Sequence, residues 1–230
     1  MDNIKSMKKY VFSLCLFSFA LFVQAQTVSW DSTYRPASFN LRLALFESYP
    51  NSTQDIIFLG NSITYGTDWN ELLQMPQARN RGISGDISFG VLQRLQEVTE
   101  GHPAKVFILI GITDISRDIP DNVILRNDER IVQRIQKESP HTRIYFQTLM
   151  PVNNQFTQHK NHYNKDEHIS AVNEGLKTIA AKYHITLIDL HPHFLDEQGR
   201  MNAAYTMDGL HLNEKGYQVW KQVLQPYLKK

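Results

Sequence analysis

The sequence predicts an α/β fold of three layers, in which helices cover both faces of a mainly parallel five-stranded sheet of flavodoxin-like type. Short runs rich in β-branched and aromatic residues alternate with segments of helical period, and no hairpin dipeptide joins neighbouring runs. No proline-rich, glycine-serine or charged linker divides residues 26–230, and no internal repeat is present. These residues are therefore predicted to form one domain with a sizeable core.

Five runs are predicted to be strands, and four of them are almost continuously apolar, which is typical of strands buried on both faces. In chain order, the predicted strands are 55–59, 78–83, 105–110, 143–149 and 186–190. The run 78–83 is more polar than the others. We expect it at an edge of the sheet.

The helices are predicted from apolar residues that recur every three or four positions. One helix is predicted around Phe89, Leu92, Leu95 and Val98, and two more over 123–135 and 169–180. Residues 214–228 are predicted to form the final helix, and Asn213 can cap its first turn.

The first 25 residues have the pattern of a secretory signal peptide. Lys5, Lys8 and Lys9 precede the apolar run 10–23, and Ala25 is the predicted last residue before cleavage. A membrane span needs roughly 20 apolar residues, so the mature form is not expected to keep a stable span, with a retained anchor as the alternative. We expect a secreted or periplasmic protein.

Charge and cysteine content exclude several classes of function. Removing residues 1–25 takes away three lysines and one aspartate, so the formal net charge of +1 becomes about −1 and leaves no basic surface for nucleic acid. Cys15 lies in the leader, so the mature chain has no thiol for catalysis, disulfides or zinc. No phosphate loop, dinucleotide fingerprint or calcium loop is present, and no cofactor is expected.

Four candidate site residues lie just after predicted strands. Ser62, Gly85, Thr113 and Asn153 occupy these positions, and the carboxyl ends of parallel strands share one edge of the sheet, where ligand sites form. Near the C-terminus, a carboxylate and an imidazole lie three positions apart, at Asp208 and His211. A serine hydroxyl needs such an imidazole as base, and the imidazole needs a carboxylate to orient it.

Four short blocks resemble those of the SGNH (GDSL-like) hydrolase superfamily. They are Gly-Asn-Ser-Ile-Thr at 60–64, Arg-Gly-Ile-Ser-Gly-Asp at 81–86, Gly-Ile-Thr-Asp at 111–114 and Asp-Gly-Leu-His at 208–211. Asn61 stands where this superfamily usually has aspartate. The resemblance covers essentially the whole mature chain, while the Gly-x-Ser-x-Gly pattern of ordinary α/β-hydrolases is absent.

The resemblance implies a role for each matching residue. Ser62 would be the nucleophile, His211 the general base and Asp208 the group that orients His211. Similar proteins bind the developing oxyanion with the backbone N–H groups of the serine and of the glycine that matches Gly85, and with an asparagine amide. Thr113 occupies that asparagine position, so its hydroxyl, a bridging water or Asn153 would have to supply the third donor.

The expected activity is hydrolysis of short-chain, above all acetyl, carboxylic esters on carbohydrate through an acyl-serine intermediate. A lysophospholipase or thioesterase would use the same chemistry. The alternative from another class is a non-catalytic or weakly active carbohydrate-binding protein on the same scaffold. The expected partner is a small-molecule or glycan ester, and the sequence assigns no oligomeric state.

Several further residues are candidates for substrate binding. Tyr65 and Trp69 follow the predicted nucleophile and could stack on a sugar or pack in the core. The histidine-rich loop after the fourth strand, with His159, His162 and His168, is expected to overhang the site. No metal site is expected, because no carboxylate in that loop has ligand spacing from its histidines. The full set of candidates is Asn61, Tyr65, Trp69, Asn153 and His162.

Overall fold

The computed structural model describes residues 29–229. The predicted signal peptide at 1–25 lies outside the described residues. Within them, no helix is both long enough and apolar enough to cross a lipid bilayer.

Between residues 29 and 229, five parallel strands form one sheet in the order β2-β1-β3-β4-β5. Their bounds are Ile56–Gly60 (β1), Ala78–Gly82 (β2), Lys105–Leu109 (β3), Arg143–Gln147 (β4) and Thr186–Ile188 (β5). The predicted fold class is confirmed, and the more polar β2 is at an edge. After β2 the chain returns past β1 to build the rest of the sheet, so the strand order reverses between β1 and β3. A crevice at the carboxyl ends of such strands is the usual ligand site of this fold.

Helices connect the strands and cover the sheet. The α-helices of the described residues are Phe39–Ser48 (α1), Ser62–Tyr65 (α2), Trp69–Leu73 (α3), Ser88–Gln93 (α4), Gln96–Thr99 (α5), Ile112–Ser116 (α6), Asp121–Glu138 (α7), Asp166–Tyr183 (α8) and Glu214–Leu228 (α9). As predicted, Asn213 caps α9, because its side chain accepts a hydrogen bond from the N–H of Gly216.

Two helical features differ from the prediction. The apolar spacing from Phe89 to Val98 predicts one helix, but the chain forms α4 and α5, because the N–H groups of Glu97 and Val98 bond three residues back rather than four. Helix α1 was not predicted at all. It buries only Phe39 and Phe46, which pack with Ile83 and leave no continuous apolar stripe to detect.

Aromatic side chains in register make up one layer of the core. Phe58, Phe107 and Tyr145 lie opposite one another on β1, β3 and β4, with ring centroids 5.0 and 4.6 Å apart. Trp69 of α3 stacks on Phe58 at 3.9 Å and meets Trp220 of α9 edge-on at 4.8 Å. These contacts fix α9, and the loop just before it, against the strand that precedes Ser62.

Helix α7 carries an aspartate in the protein interior. Asp128 is fully buried, and neither of its carboxylate oxygens has a hydrogen-bond partner among the described residues. Burial, followed by the nearby charge of Asp114, raises the pKa of Asp128 well above its ordinary value. The folded protein therefore favours the protonated side chain.

Replacing Asp128 with asparagine should make folding less sensitive to pH. An unfolded aspartate ionises near pH 4, so the raised pKa of Asp128 makes the wild type lose stability as pH rises above that value. Asparagine does not ionise, so between pH 5 and pH 8 the free energy of unfolding of Asp128→Asn should rise relative to that of the wild type. Urea denaturation at both pH values measures this gain. Asp68→Asn, at an exposed position just before α3 with no side-chain hydrogen bond, is the control, and an equal difference at both pH values would contradict the expectation.

Candidate active site

The side chains of Ser62, His211 and Asp208 form one hydrogen-bonded chain. Ser62 is the first residue of α2, just beyond β1. Its Oγ lies 2.9 Å from His211 Nε2, and His211 Nδ1 lies 2.8 Å from Asp208 Oδ2. An ionised carboxylate accepts the Nδ1 proton, which leaves Nε2 free to accept the proton of Ser62.

The loop that carries Asp208 holds the carboxylate in place. Asp208 Oδ1 accepts the backbone N–H groups of Leu210 and His211 at 3.0 and 2.8 Å. Partial burial raises the pKa of Asp208, but the hydrogen bonds from the side chain and backbone of His211 and from Leu210 outweigh it and lower the pKa to about 2. Asp208 is therefore ionised at neutral pH. Gly209, at φ 83°, passes so close to the carbonyl of Asn153 that a Cβ would lie 2.4 Å from it.

A second imidazole contacts the same carboxylate, and sequence reasoning missed it. His159 Nε2 lies 2.9 Å from Asp208 Oδ2, and the His159 and His211 rings meet edge to face with centroids 4.9 Å apart. The buried Tyr163 supports this arrangement by donating its hydroxyl to the backbone carbonyl of Asp208. The histidine-rich loop thus packs against Asp208 itself. Its sequence offered only the cluster of histidines as a signal.

His159, Asp208 and His211 are also close enough together to be candidate metal ligands. A metal ion on these atoms would replace the hydrogen bond between Asp208 and His211 that orients the imidazole. Such an ion would therefore interrupt the chain to Ser62.

Backbone carbonyls around the nucleophile are fixed from two sides. Asn80 of β2 donates its side-chain amide to three carbonyls of residues 64–67 at 2.8 to 3.1 Å. Tyr217 of α9 donates its buried hydroxyl to the carbonyl of Ile63 at 2.8 Å. Ser62 is therefore held by both the sheet edge and the last helix.

The loop that contains Gly85 is tied to the nucleophile strand by a buried ion pair. Arg94 Nε lies 2.9 Å from Asp86 Oδ2, and another of its nitrogens donates to the carbonyl of Gly60 at 3.1 Å. Gly85 itself has φ 79°, which favours glycine.

Helix α6, which contains Thr113, is tied to the start of α4, just after the Gly85 loop, by a second buried contact. Asp114 accepts both the backbone N–H and the hydroxyl of Ser88. Burial raises the pKa of Asp114 to about 7, although the Ser88 hydrogen bonds lower it in part.

Ser62 and His211 line a cavity of about 270 Å³ at the crevice between β1 and β3. Its lining residues are Tyr34, Ser62, Ser84, Gly85, Thr113, Ser116, Arg117, His159, Asn161, His162, Leu210 and His211. Arg117 stacks on Tyr34, with its guanidinium carbon 3.2 Å from the ring centroid. Burial, and then the neighbouring imidazoles, lower the pKa of His162 to about 4, so His162 presents a neutral ring to the cavity.

Three candidate substrate contacts lie elsewhere. Trp69 has 0% of its surface exposed and is part of the core, so its assignment to substrate binding is wrong. Tyr65 lines a separate open depression with Arg42 and Asp68. Asn153 follows β4, but it is fully buried outside the cavity lining and its amide donates to the carbonyl of Met201 at 2.8 Å, so it is not the missing oxyanion donor.

Asn61 is also fully buried and does not line the cavity. Its side chain caps α2 by accepting the N–H of Ile63 at 3.1 Å, and its amide nitrogen contacts Thr113. Of the five candidates, only His162 lines the cavity. The sequence cannot show which strand-end side chains turn inward, because this depends on packing between distant segments.

The sheet is parallel, and a hydrogen-bonded Ser-His-Asp chain lies where its strand order reverses. This combination places the protein in the class of serine hydrolases. Residues 58–219 match the GDSL-like Lipase/Acylhydrolase family, and the chain belongs to this family. The protein is therefore a carboxylic ester hydrolase of the GDSL/SGNH type.

Individual relatives agree with this assignment. Platelet-activating factor acetylhydrolase IB subunit alpha1 of Rattus norvegicus is 28% identical over 170 residues, which cover 71% of this chain and 70% of the relative. A solved structure from Streptococcus pneumonia, named for platelet activating factor, has a TM-score of 0.75 and 28% identity over 83% of this chain and 92% of that one. An acetyl xylan esterase has a TM-score of 0.64 and 20% identity over 75% of this chain and 98% of that one, which shows a shared fold.

Proposed function

We propose that this protein is a serine esterase that removes short acyl groups, above all acetyl, from hydroxyl groups of carbohydrate. The observation that carries the proposal is the Ser62-His211-Asp208 chain, with contacts of 2.9 and 2.8 Å, at the wall of a small polar cavity. The predicted leader at 1–25 is consistent with action outside the cytoplasm.

In the proposed reaction, Ser62 Oγ attacks the ester carbonyl while His211 Nε2 takes its proton. The carbonyl oxygen becomes an oxyanion, which the backbone N–H groups of Ser62 and Gly85 stabilise. His211 then passes the proton to the leaving sugar oxygen, and an acyl-serine remains. A water that gives its proton to His211 attacks the acyl-serine and releases the carboxylic acid, which restores Ser62.

The size and polarity of the cavity support a short acyl group and a polar leaving group. A cavity of about 270 Å³ lies just below the usual range for small-molecule sites, roughly 300 to 1,000 Å³, and suits a short acyl group better than a long chain. Its lining includes Ser84, Ser116, Asn161 and Arg117, which carry hydroxyl, amide and guanidinium groups. These groups suit a sugar with many acceptor oxygens better than a lipid tail.

The comparisons support the acetyl group in particular. One relative is named an acetylhydrolase and one structural neighbour an acetyl xylan esterase, so both names refer to acetyl esters. The carbohydrate leaving group rests on the second name and on the polar cavity lining. A lysophospholipase or thioesterase would need space for a longer chain, and a purely binding protein would not need the hydrogen-bonded triad.

The proposal is tested with a panel of aryl esters of increasing acyl length together with acetylated mono- and oligosaccharides. The kcat/KM should be at least about tenfold higher for acetyl than for octanoyl esters, because the extra methylenes lack a pocket. Released acetate from the acetylated sugars, absent in Ser62→Ala, would support the carbohydrate substrate. Preference for octanoyl esters would favour the lipid or thioester alternative.

A further inference from the structure

Two positions that depart from the family pattern touch each other. Asn61 stands where the superfamily usually has aspartate, and Thr113 where it has the oxyanion asparagine. In the structure, Asn61 Nδ2 lies 3.3 Å from Thr113 Oγ1, and both side chains are buried. Thr113 also lines the cavity that contains Ser62 and Gly85, whereas Asn61 lies behind it.

The direction of this hydrogen bond is fixed by the backbone. Asn61 Oδ1 accepts the N–H of Ile63 at 3.1 Å, so the other arm of the amide is the NH₂ group. An NH₂ group only donates. Thr113 Oγ1 must therefore be the acceptor in its contact with Asn61.

This leaves the proton of Thr113 without a partner among the described residues. A hydroxyl can donate one hydrogen bond through its proton and accept two through its lone pairs. The hydrogen bond from Asn61 uses one of the lone pairs of Thr113 Oγ1. Across residues 29–229, Thr113 Oγ1 has no hydrogen bond other than the one from Asn61. The proton of Thr113 is thus available on the cavity side.

We propose that Thr113 Oγ donates the third hydrogen bond to the oxyanion, and that Asn61 is the positioning residue that sets the direction of this hydroxyl. The inference rests on the proposed function and concerns the same reaction. The hydrogen bond from Asn61 also polarises the hydroxyl and makes it a better donor. The two departures from the family pattern act as a pair.

An aspartate at position 61 would have the opposite effect. A carboxylate accepts only, so the hydroxyl of Thr113 would turn its proton toward position 61 and away from the substrate. A hydroxyl at position 113 is therefore useful as an oxyanion donor only next to a donor such as Asn61. The usual family pair, aspartate at position 61 and asparagine at position 113, also leaves a donor for the oxyanion, because the asparagine amide has two protons to donate.

The first test removes the hydroxyl and keeps the shape. Thr113→Val should lower kcat on an aryl acetate by about 100-fold, at the lower end of the usual effect of losing one oxyanion donor, with little change in KM. Thr113→Ser keeps the hydroxyl and should lose far less. Thermal midpoints of both variants separate a fall in kcat from a loss of folding.

The second test reverses the hydrogen bond. Asn61→Asp keeps the cap of α2, because aspartate is as good a cap as asparagine. It should lower kcat by about as much as Thr113→Val does. Asn61→Asp combined with Thr113→Val should be no slower than Thr113→Val alone, since both changes remove the same donor. Asn61→Asp combined with Thr113→Asn restores the family pair and should recover turnover.

The outcomes separate this inference from the proposed function. If wild type hydrolyses the ester and Ser62→Ala does not, but Thr113→Val keeps wild-type kcat, the oxyanion role of Thr113 is wrong and the esterase proposal stands. If the losses in kcat of Asn61→Asp and Thr113→Val multiply in the double variant, Asn61 does not act through Thr113. Failure of wild type to cleave any ester or to react with a fluorophosphonate would overturn the proposed function itself.

Discussion

Ser62→Ala is expected to lower kcat on an acetyl ester by about 10⁶-fold, because removal of the nucleophile of a Ser-His-Asp triad costs about that much. The residual rate would come from the backbone N–H groups of the oxyanion site and from binding. The fold should be unchanged, since within residues 29–229 the Ser62 hydroxyl bonds only to His211. Turnover of an aryl acetate measures the loss.

Covalent labelling gives a second and independent measurement of the same residue. A fluorophosphonate should add its mass to wild type and to Ser170→Ala, which changes an exposed serine of α8, but not to Ser62→Ala. Labelling of Ser62→Ala, or a kcat within tenfold of wild type, would show that another residue is the nucleophile.

The strands and the order of the reacting residues could be predicted from the sequence because both signals are local. Runs such as Lys105–Leu109 are apolar enough to identify as buried strands. The spacing of Asp208 and His211 places their side chains on one short loop, where their 2.8 Å contact needs few long-range interactions.

The surroundings of the triad could not be predicted, because they depend on contacts between distant segments. Trp69 follows the nucleophile in sequence as a substrate contact would, but Phe58 and Trp220 bury it. His159 reaches Asp208 across 49 positions, and Asn61 reaches Thr113 across 52. No periodicity or local motif encodes such a pairing.

Asp208 is the residue for which the structure predicts the next largest loss. Its Oδ2 contacts two imidazoles, His211 Nδ1 at 2.8 Å and His159 Nε2 at 2.9 Å. Its Oδ1 accepts two backbone N–H groups. In Asp208→Asn, the amide oxygen must stay on those N–H groups, so the NH₂ group replaces Oδ2 and faces both imidazoles.

The consequence is the wrong tautomer of His211. An NH₂ group donates to Nδ1, which moves the ring proton to Nε2, and Nε2 can then no longer accept the proton of Ser62. Asp208→Asn should therefore lower kcat by about 10⁴-fold while the loop stays folded, since the Oδ1 contacts remain. Asp166→Asn, at the exposed start of α8, is the matched control for the chemical change. A loss of less than about tenfold in aryl acetate turnover, at an unchanged thermal midpoint, would mean that His159 or solvent can orient His211 without the carboxylate.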